Sequence, residues 1–210
     1  MDSRKSHAIV RVVDDDPGVR ESYKFLIESE GWLVKTYPDA ESFLSGDDLT
    51  VPGCAIVDVR MPGMSGMALQ LKLRELVNCL PVVFVSAHGD IEMAVKAMKR
   101  GAADFLAKPV ADDKLLAAID KAVTRSFELL DEMTDREALL RDWNSLSARE
   151  KEVALLLAEG LMNKVIADRL GISERTVQVH RANVCQKLGC RNAVGGSRAV
   201  DRLRDEKAIP

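Results

Sequence analysis

Cys54-Ala55-Ile56-Val57-Asp58 is an apolar run that ends on a carboxylate, and Met61-Pro62-Gly63-Met64-Ser65-Gly66 follows it as a turn-rich stretch. A buried strand succeeded by such a turn delivers its last side chain to the carboxyl edge of a sheet, where ligands of open α/β folds bind. Two other runs end in matching groups. Asp14-Asp15-Asp16 follows Val10-Arg11-Val12-Val13, and Lys108 stands just before Pro109. Three acids and a lysine brought to one strand edge would make a site for a divalent cation and a phosphoryl group.

Working outward, five short apolar runs bounded by turn residues read as strands: Ala8–Val13, Trp32–Tyr37, Cys54–Asp58, Val82–Ser86 and Asp104–Ala107. Amphipathic stretches lie between them, at Val19–Glu30, Ala40–Ser45, Met67–Leu76, Ile91–Arg100 and from Asp112 onward. Alternating β and α units predict a five-stranded, doubly wound parallel sheet with helices on both faces. Right-handed crossovers bring every strand's carboxyl end to one edge. Asp14, Asp15, Asp58, Ser86 and Lys108 all fall there.

A chain of 210 residues is long for one domain and comfortable for two. With 47% hydrophobic and 30% charged residues it reads as ordinary globular protein. No apolar run approaches the roughly 20 residues of a membrane helix, and the N-terminus lacks a signal peptide's longer apolar core. Cys54, Cys79, Cys185 and Cys190 form no Cys-x-x-Cys pair, as expected of separate thiols in a reducing cytoplasm. The net charge of −3 hides a split. From Ser145 onward there are 12 Lys/Arg against 8 Asp/Glu, whereas the front part carries 18 against 25. Two regions of opposite sign suit partners of different kinds.

The expected boundaries are 1–122, 123–144 and 145–210. The middle piece lacks Gly and Pro and reads as a helix continuing the last helix of the front domain. Its apolar positions (Val123, Phe127, Leu130; Leu129, Met133, Leu140, Trp143) fit either a solvated helix or a seam to a second subunit, which Arg136 interrupts. The back domain is all-α. Ser147-Ala148-Arg149-Glu150 is a capping-box pattern opening a helix that stops near Gly160. Asn163 is expected to cap a short helix ended by Gly171, and Ser173 a third running to Leu188. Helix, Gly-containing turn, helix is the helix-turn-helix pattern.

The residue types suit phosphoryl chemistry. Mg²⁺ (or Mn²⁺) takes oxygen ligands in octahedral geometry and keeps some waters, so two carboxylates plus a carbonyl suffice. Asp58 can attack phosphorus as a carboxylate nucleophile while Lys108 neutralises equatorial oxygens. Ser86 can hydrogen-bond an arriving phosphoryl oxygen. Taken singly, an acidic run before Pro17 would serve as a helix cap and Lys108-Pro109 as a turn. Residues 8 to about 122 resemble the receiver domain of two-component response regulators through Val12-Val13-Asp14-Asp15, the stretch Val57-Asp58-Val59-Arg60-Met61-Pro62-Gly63-Met64-Ser65-Gly66, Val85-Ser86-Ala87-His88-Gly89-Asp90 and Phe105-Leu106-Ala107-Lys108-Pro109. The resemblance implies Asp58 as phosphoacceptor, and Asp14, Asp15, Asp58 and the Arg60 carbonyl around the metal. It assigns Ser86 and Phe105 to the switch and Lys108 to the phosphate, with a cis Lys108–Pro109 bond. Arg60 and His88 flank the site and are expected to set the lifetime of the acyl phosphate, though a loop residue such as His88 also reads as simply exposed.

In the third back-domain helix, Val177, Val184 and Leu188 share a core face, leaving Arg175, Gln178, Val179, Ala182 and Gln186 elsewhere. Gln can pair with adenine and small apolar groups can touch a thymine methyl. Lys164, Arg175, Thr176, Arg181 and Lys187 suit phosphate contacts. The stretch from Leu146-Ser147-Ala148-Arg149-Glu150 through Thr176-Val177-Gln178-Val179-His180 to Lys187-Leu188-Gly189 resembles the LuxR-type helix-turn-helix. The whole is similar to the FixJ/NarL family. That resemblance implies Gln178, Val179 and Ala182 at base contacts, with His180 either a helix packer or a phosphate contact. It further implies a phosphorylation-activated transcriptional regulator in the cytoplasm. Its partners would be a sensor histidine kinase, promoter DNA, RNA polymerase and, when phosphorylated, a second copy, with no catalysis beyond its own phosphorylation and dephosphorylation. After Arg191-Asn192, Gly195-Gly196 is expected to interrupt the family's fourth helix, with Ser197 capping a later one through about Lys207. Two other readings stay open. A phosphohydrolase would usually need an acid where Arg60 stands, and a vestigial pocket would not be expected to keep this full set of residues.

Overall fold

The computed structural model describes residues 3–76, 80–87, 91–190, 193–205 and 208–209. Expectations for His88, Gly89-Asp90, Cys79, Arg191-Asn192 and the end of the last helix at Lys207 lie outside these residues. The chain divides into two units, Met1–Asp131 and Glu132–Pro210.

In the first unit, β1 (Ile9–Val13), β2 (Leu33–Tyr37), β3 (Gly53–Asp58), β4 (Val82–Ser86) and β5 (Asp104–Ala107) form one sheet in the order β2-β1-β3-β4-β5. Every pairing is parallel, as the alternation of elements predicts. The helices are α1 (Pro17–Ser29), α2 (Ala40–Gly46), α3 (Gly66–Leu76), α4 (Ile91–Lys99) and α5 (Asp112–Asn144). Successive side chains of a strand point to opposite faces, and β3 obeys this. Ala55 and Val57 join one core with Phe43, Leu69, Leu73 and Phe84, while Cys54 and Ile56 join the other with Ile27, Trp32, Leu115, Ile119 and Val123. Burial on both faces explains why β3 reads as an unbroken apolar run.

One buried charge breaks that pattern. Arg11 is fully enclosed in β1. Its guanidinium pairs with the equally buried Asp47 and donates to the carbonyls of Asp48 (2.9 Å) and Ile9 (3.0 Å). Lys35 Nζ adds a second cation 2.9 Å from Asp47. Burial pushes the Asp47 carboxyl up, but the hydrogen bonds of Lys35 and Arg11 more than reverse this and hold it below the usual range. Gly53 leaves room for this packing: with φ +149°, an added Cβ would lie 1.9 Å from the Ile9 carbonyl oxygen.

The second unit contains the end of α5, then α6 (Ala148–Ala158), α7 (Asn163–Leu170), α8 (Glu174–Lys187) and α9 (Ala193–Asp205). Trp143, Leu146, Ala154, Val184, Leu188, Val200 and Leu203 form one core, and Val153, Ile166, Ala167 and Val177 a second. The Ser147–Glu150 capping box is present in both directions. Two expectations are corrected. The cap of α7 is Met162, with no side-chain hydrogen bond, because the Asn163 carboxamide oxygen instead accepts from Arg181. Gly195-Gly196 also does not interrupt α9, which starts at Ala193 and runs through both glycines. They occupy its first turn, where a Cβ on Gly196 would come 3.9 Å from Cys185 Sγ. Burial of Val200 and Leu203 outweighs their poor helix propensity. Ser197 is accordingly no cap; its hydroxyl donates to the Leu157 carbonyl at 3.2 Å.

No described helix is long and apolar enough to cross a membrane. In α5, residues 131–137 are exposed on every side, while Val123 and Trp143 are buried in the cores of the first and second units. Of the apolar seam positions, only Met133 is exposed.

Candidate phosphorylation site and DNA interface

Parallel register explains how distant residues meet. Val13 pairs with Val57, Asp58 with Val85 and Ser86 with Ala107, so Asp14, Asp58, Ser86 and Lys108 end adjacent strands at one edge. Asp14, Asp58 and Ser86 are buried. Lys108 Nζ lies 2.6 Å from Asp14 Oδ2 and 3.0 Å from Asp58 Oδ1, bridging the two carboxylates. Each acid's other oxygen accepts a backbone N–H, from Asp16 at 2.9 Å and from Arg60 at 2.7 Å. Burial draws the Lys108 ammonium's pKa down, but its hydrogen bonds and charge pairing with Asp14 and Asp58 together carry it above the ordinary value. The Lys108–Pro109 bond is cis, as the resemblance implies.

The acidic run divides its labour. Asp14 faces the pocket, Asp15 is exposed, and Asp16 caps α1 by accepting from Gly18 N (2.7 Å) and Val19 N (3.3 Å). Gly66 matters at the other side. Its N–H donates to the Val59 carbonyl at 3.1 Å, and an added Cβ would stand 2.2 Å from the Asp58 carbonyl oxygen. Only a glycine lets α3 start this close to Asp58. Phe105 is half-buried, its ring 6.1 Å from that of Phe84.

Two buried carboxylates already share one cation, and the local donors are all oxygens. That set fits a hard cation such as Mg²⁺, which binds through one or two carboxylates and retains waters. Among the described residues, no three His, Cys, Asp or Glu side chains gather closely enough to hold a metal alone. The Arg60 carbonyl and water would have to complete the shell.

Tyr23 escaped the sequence reading because a tyrosine within an amphipathic helix carries no signal of its own. It lines a groove with Ser22, Val19, Lys108 and Pro109. Burial raises its phenol pKa; Lys108 opposes this while Asp14 and Asp58 add to it.

In the second unit, Gly171 adopts the left-handed conformation at φ 62° and turns α7 into α8, whose cap Ser173 accepts from Thr176 N at 3.1 Å. Arg175, Gln178, Val179, Ala182 and Gln186 form an exposed stripe along α8, opposite buried Val177 and Val184. Val179 is 53% exposed although apolar. Lys164, in the first turn of α7, is exposed too. The other candidates are engaged within the unit. Thr176 Oγ1 bonds Ser173 Oγ at 2.8 Å, Arg181 donates to Asn163, and Lys187 Nζ reaches Glu150 Oε2 at 2.7 Å. His180 is half-buried, with no hydrogen-bond partner at its buried Nδ1.

Residues 10–120 match the family model of the response regulator receiver domain, and residues 144–197 that of the bacterial regulatory proteins of the luxR family. The chain belongs to the response regulators. This regulator is similar to the response regulator protein TmoT of Ectopseudomonas mendocina, 40% identical over 198 residues that cover 94% of this chain and 90% of that protein. It is also similar to the transcriptional regulatory protein FixJ of Azorhizobium caulinodans, 44% identical over 179 residues, 85% of each chain. Among solved structures, the response regulator StyR superposes with a TM-score of 0.78 at 42% identity, covering 93% of this chain and 99% of that one. The regulator is a transcriptional regulator of two-component signalling, a receiver followed by a LuxR-type DNA-binding domain. Its family consists of DNA-binding regulators rather than ordinary enzymes, and membership implies a histidine kinase partner and DNA binding.

Proposed function

We propose that Asp58 accepts a phosphoryl group from a histidine kinase and that this modification controls promoter binding by the second unit. The Lys108 ammonium bridging Asp14 and Asp58 carries the reading, because it puts a cation and a nucleophilic carboxylate at one point of the sheet edge. A carboxylate oxygen of Asp58 bonds to phosphorus as the P–N bond of the kinase's phosphoimidazole breaks, and the imidazole leaves with the electron pair. Lys108 follows the charge onto the phosphoryl oxygens. A bound Mg²⁺, or Mn²⁺, would supply further positive charge there, held by Asp14, Asp58 and the Arg60 carbonyl, with Asp15 reaching it through a retained water. Ser86 donates to the phosphoryl group, and Phe105 turns into the space vacated. The modification acts only by stabilising one conformation more than another.

The receiver face bearing α4 would carry dimerisation of the phosphorylated form. Ile91, Val95 and Met98, spaced one helical turn apart, are 83%, 46% and 45% exposed, which supports an apolar contact with a second copy. On the second unit, Gln178, Val179 and Ala182 would read bases, while Lys164 and Arg175 bind phosphates. Thr176, Arg181 and Lys187 join them by exchanging their present partners, and His180 packs the helix. Cytoplasmic location and contact with RNA polymerase belong to the same proposal.

The test is phosphoryl incorporation from acetyl phosphate, followed by DNA selection with and without the donor. Asp58→Asn should lose both incorporation and the donor-dependent gain in DNA affinity. Retention of both in that variant would overturn the proposal.

A further inference from the structure

The C-terminal end of α8 places two thiols together. Cys190 N–H donates to the Cys185 carbonyl at 2.8 Å and Gly189 N–H to the Gln186 carbonyl at 3.3 Å, with Gly189 left-handed at φ 62°. This is the double hydrogen bond of a Schellman cap, in which the first and last residues of the motif characteristically touch through their side chains. Here both are cysteines, free and half-buried, and Cys185 lies near enough to act electrostatically on the Cys190 thiol. The bond between their main chains holds the pair within the reach of a disulfide, whose Cα atoms lie about 4.4–6.8 Å apart.

We propose that Cys185 and Cys190 form an oxidant-responsive dithiol at the end of α8, closing to an intramolecular disulfide on exposure to a peroxide. Burial and then the neighbouring Cys185 push the Cys190 thiol up, and its Sγ–H donates to the Leu188 carbonyl at 3.2 Å. With the Cys190 S–H held by that bond, Cys185 takes the first step. The Cys185 thiol gives up its proton as the sulfur attacks the peroxide oxygen, the O–O bond breaks, and the departing hydroxide takes that proton, leaving a sulfenic acid and water. The Cys190 sulfur then attacks the sulfenic sulfur, the S–S bond forms, and hydroxide leaves with the Cys190 proton as a second water. Two thiols are oxidised by two electrons and one hydrogen peroxide becomes two waters. Cys54 is the internal control, fully buried with its thiol pushed up to about 12. The new bond replaces the Cys190 hydrogen bond and draws on Cys185 Sγ where α9 crosses it beside Gly196, so the proposed DNA-reading helix feels it directly.

The experiment treats the full chain with hydrogen peroxide and maps peptides by mass without reduction. A monomer whose linked Cys185 and Cys190 peptides have lost two hydrogens, reversed by dithiothreitol and absent in Cys185→Ser and Cys190→Ser, is the expected result. Cys185 and Cys190 still alkylatable after oxidation, disulfide-linked dimers, or equal overoxidation of Cys185 with and without Cys190 would each overturn it. DNA affinity of the oxidised form should differ at least threefold from the reduced form, in Asp58→Asn as well as the parent. A disulfide that leaves affinity unchanged removes the sensing role. This part rests on the DNA-binding reading, and the reduced protein, tested alone, shows separately whether that reading holds.

Discussion

Lys108 stands between two carboxylates that would otherwise face each other uncompensated. Replacing it with Met should destabilise the first unit at neutral pH by about 3 kcal/mol, since breaking a buried ion pair strands a charge. Denaturant titration at neutral pH checks this. In the parent the alkaline end reports on the same interaction. The pKa of Lys108 is raised above 10.5, so its contribution is whole below that value and is lost as pH rises through the higher folded one. Arg60 is exposed beside Asp58, and Arg60→Ala should change the decay rate of the acyl phosphate, read by loss of radiolabel. At this scale Asp14, Asp58, Ser86 and Lys108 were legible because each ends an apolar run. Arg11 was not, since its partner Asp47 lies 36 positions away and a lone arginine inside a strand says nothing about what neutralises it.

Among elements, the β1–α2 junction depends on the enclosed Arg11–Asp47 pair. Asp47→Ala should cost about 3–5 kcal/mol, measured by calorimetry, because it leaves a guanidinium buried without its counter-charge. At the start of α6, hydrogen bonds from Lys187 and the Ser147 backbone hold the Glu150 carboxyl at about 2 instead of 4.5. A carboxyl lowered on folding stabilises above its unfolded value and loses that contribution as pH falls from 4.5 toward 2. Glu150→Gln should therefore flatten the acid dependence of second-unit unfolding across that window. The helix-turn-helix was readable from its caps and glycines. The α9 start was not: a Gly-Gly pair reads as a break when only local propensity is weighed, and the Val200 and Leu203 burial that decides otherwise is tertiary. The Asn163 cap failed for a similar reason, with Arg181 on α8 claiming its side chain.

For the molecule as a whole, the alternating elements foretold the sheet's strands and the edge where Asp14, Asp58, Ser86 and Lys108 meet, while the long helix left two readings open. Its burial pattern favours neither a seam along its full length nor a wholly solvated rod. Its ends are core and residues 131–137 are exposed on all sides. Helical segments without tertiary burial are marginal, so brief trypsin digestion should cut first at Arg136, leaving two resistant fragments seen by mass spectrometry. DNA binding should weaken steeply with salt as phosphate contacts release counterions. The chain's two tryptophans are also divided between the units. Trp32 is buried in a core of the first and Trp143 in one of the second, each 5% exposed. The protein thus carries one tryptophan per unit, which excitation at the red edge of the indole band addresses apart from Tyr23 and Tyr37. Paired Trp32→Phe and Trp143→Phe variants would let emission spectra assign each melting step to its own half of the chain, with no dye attached.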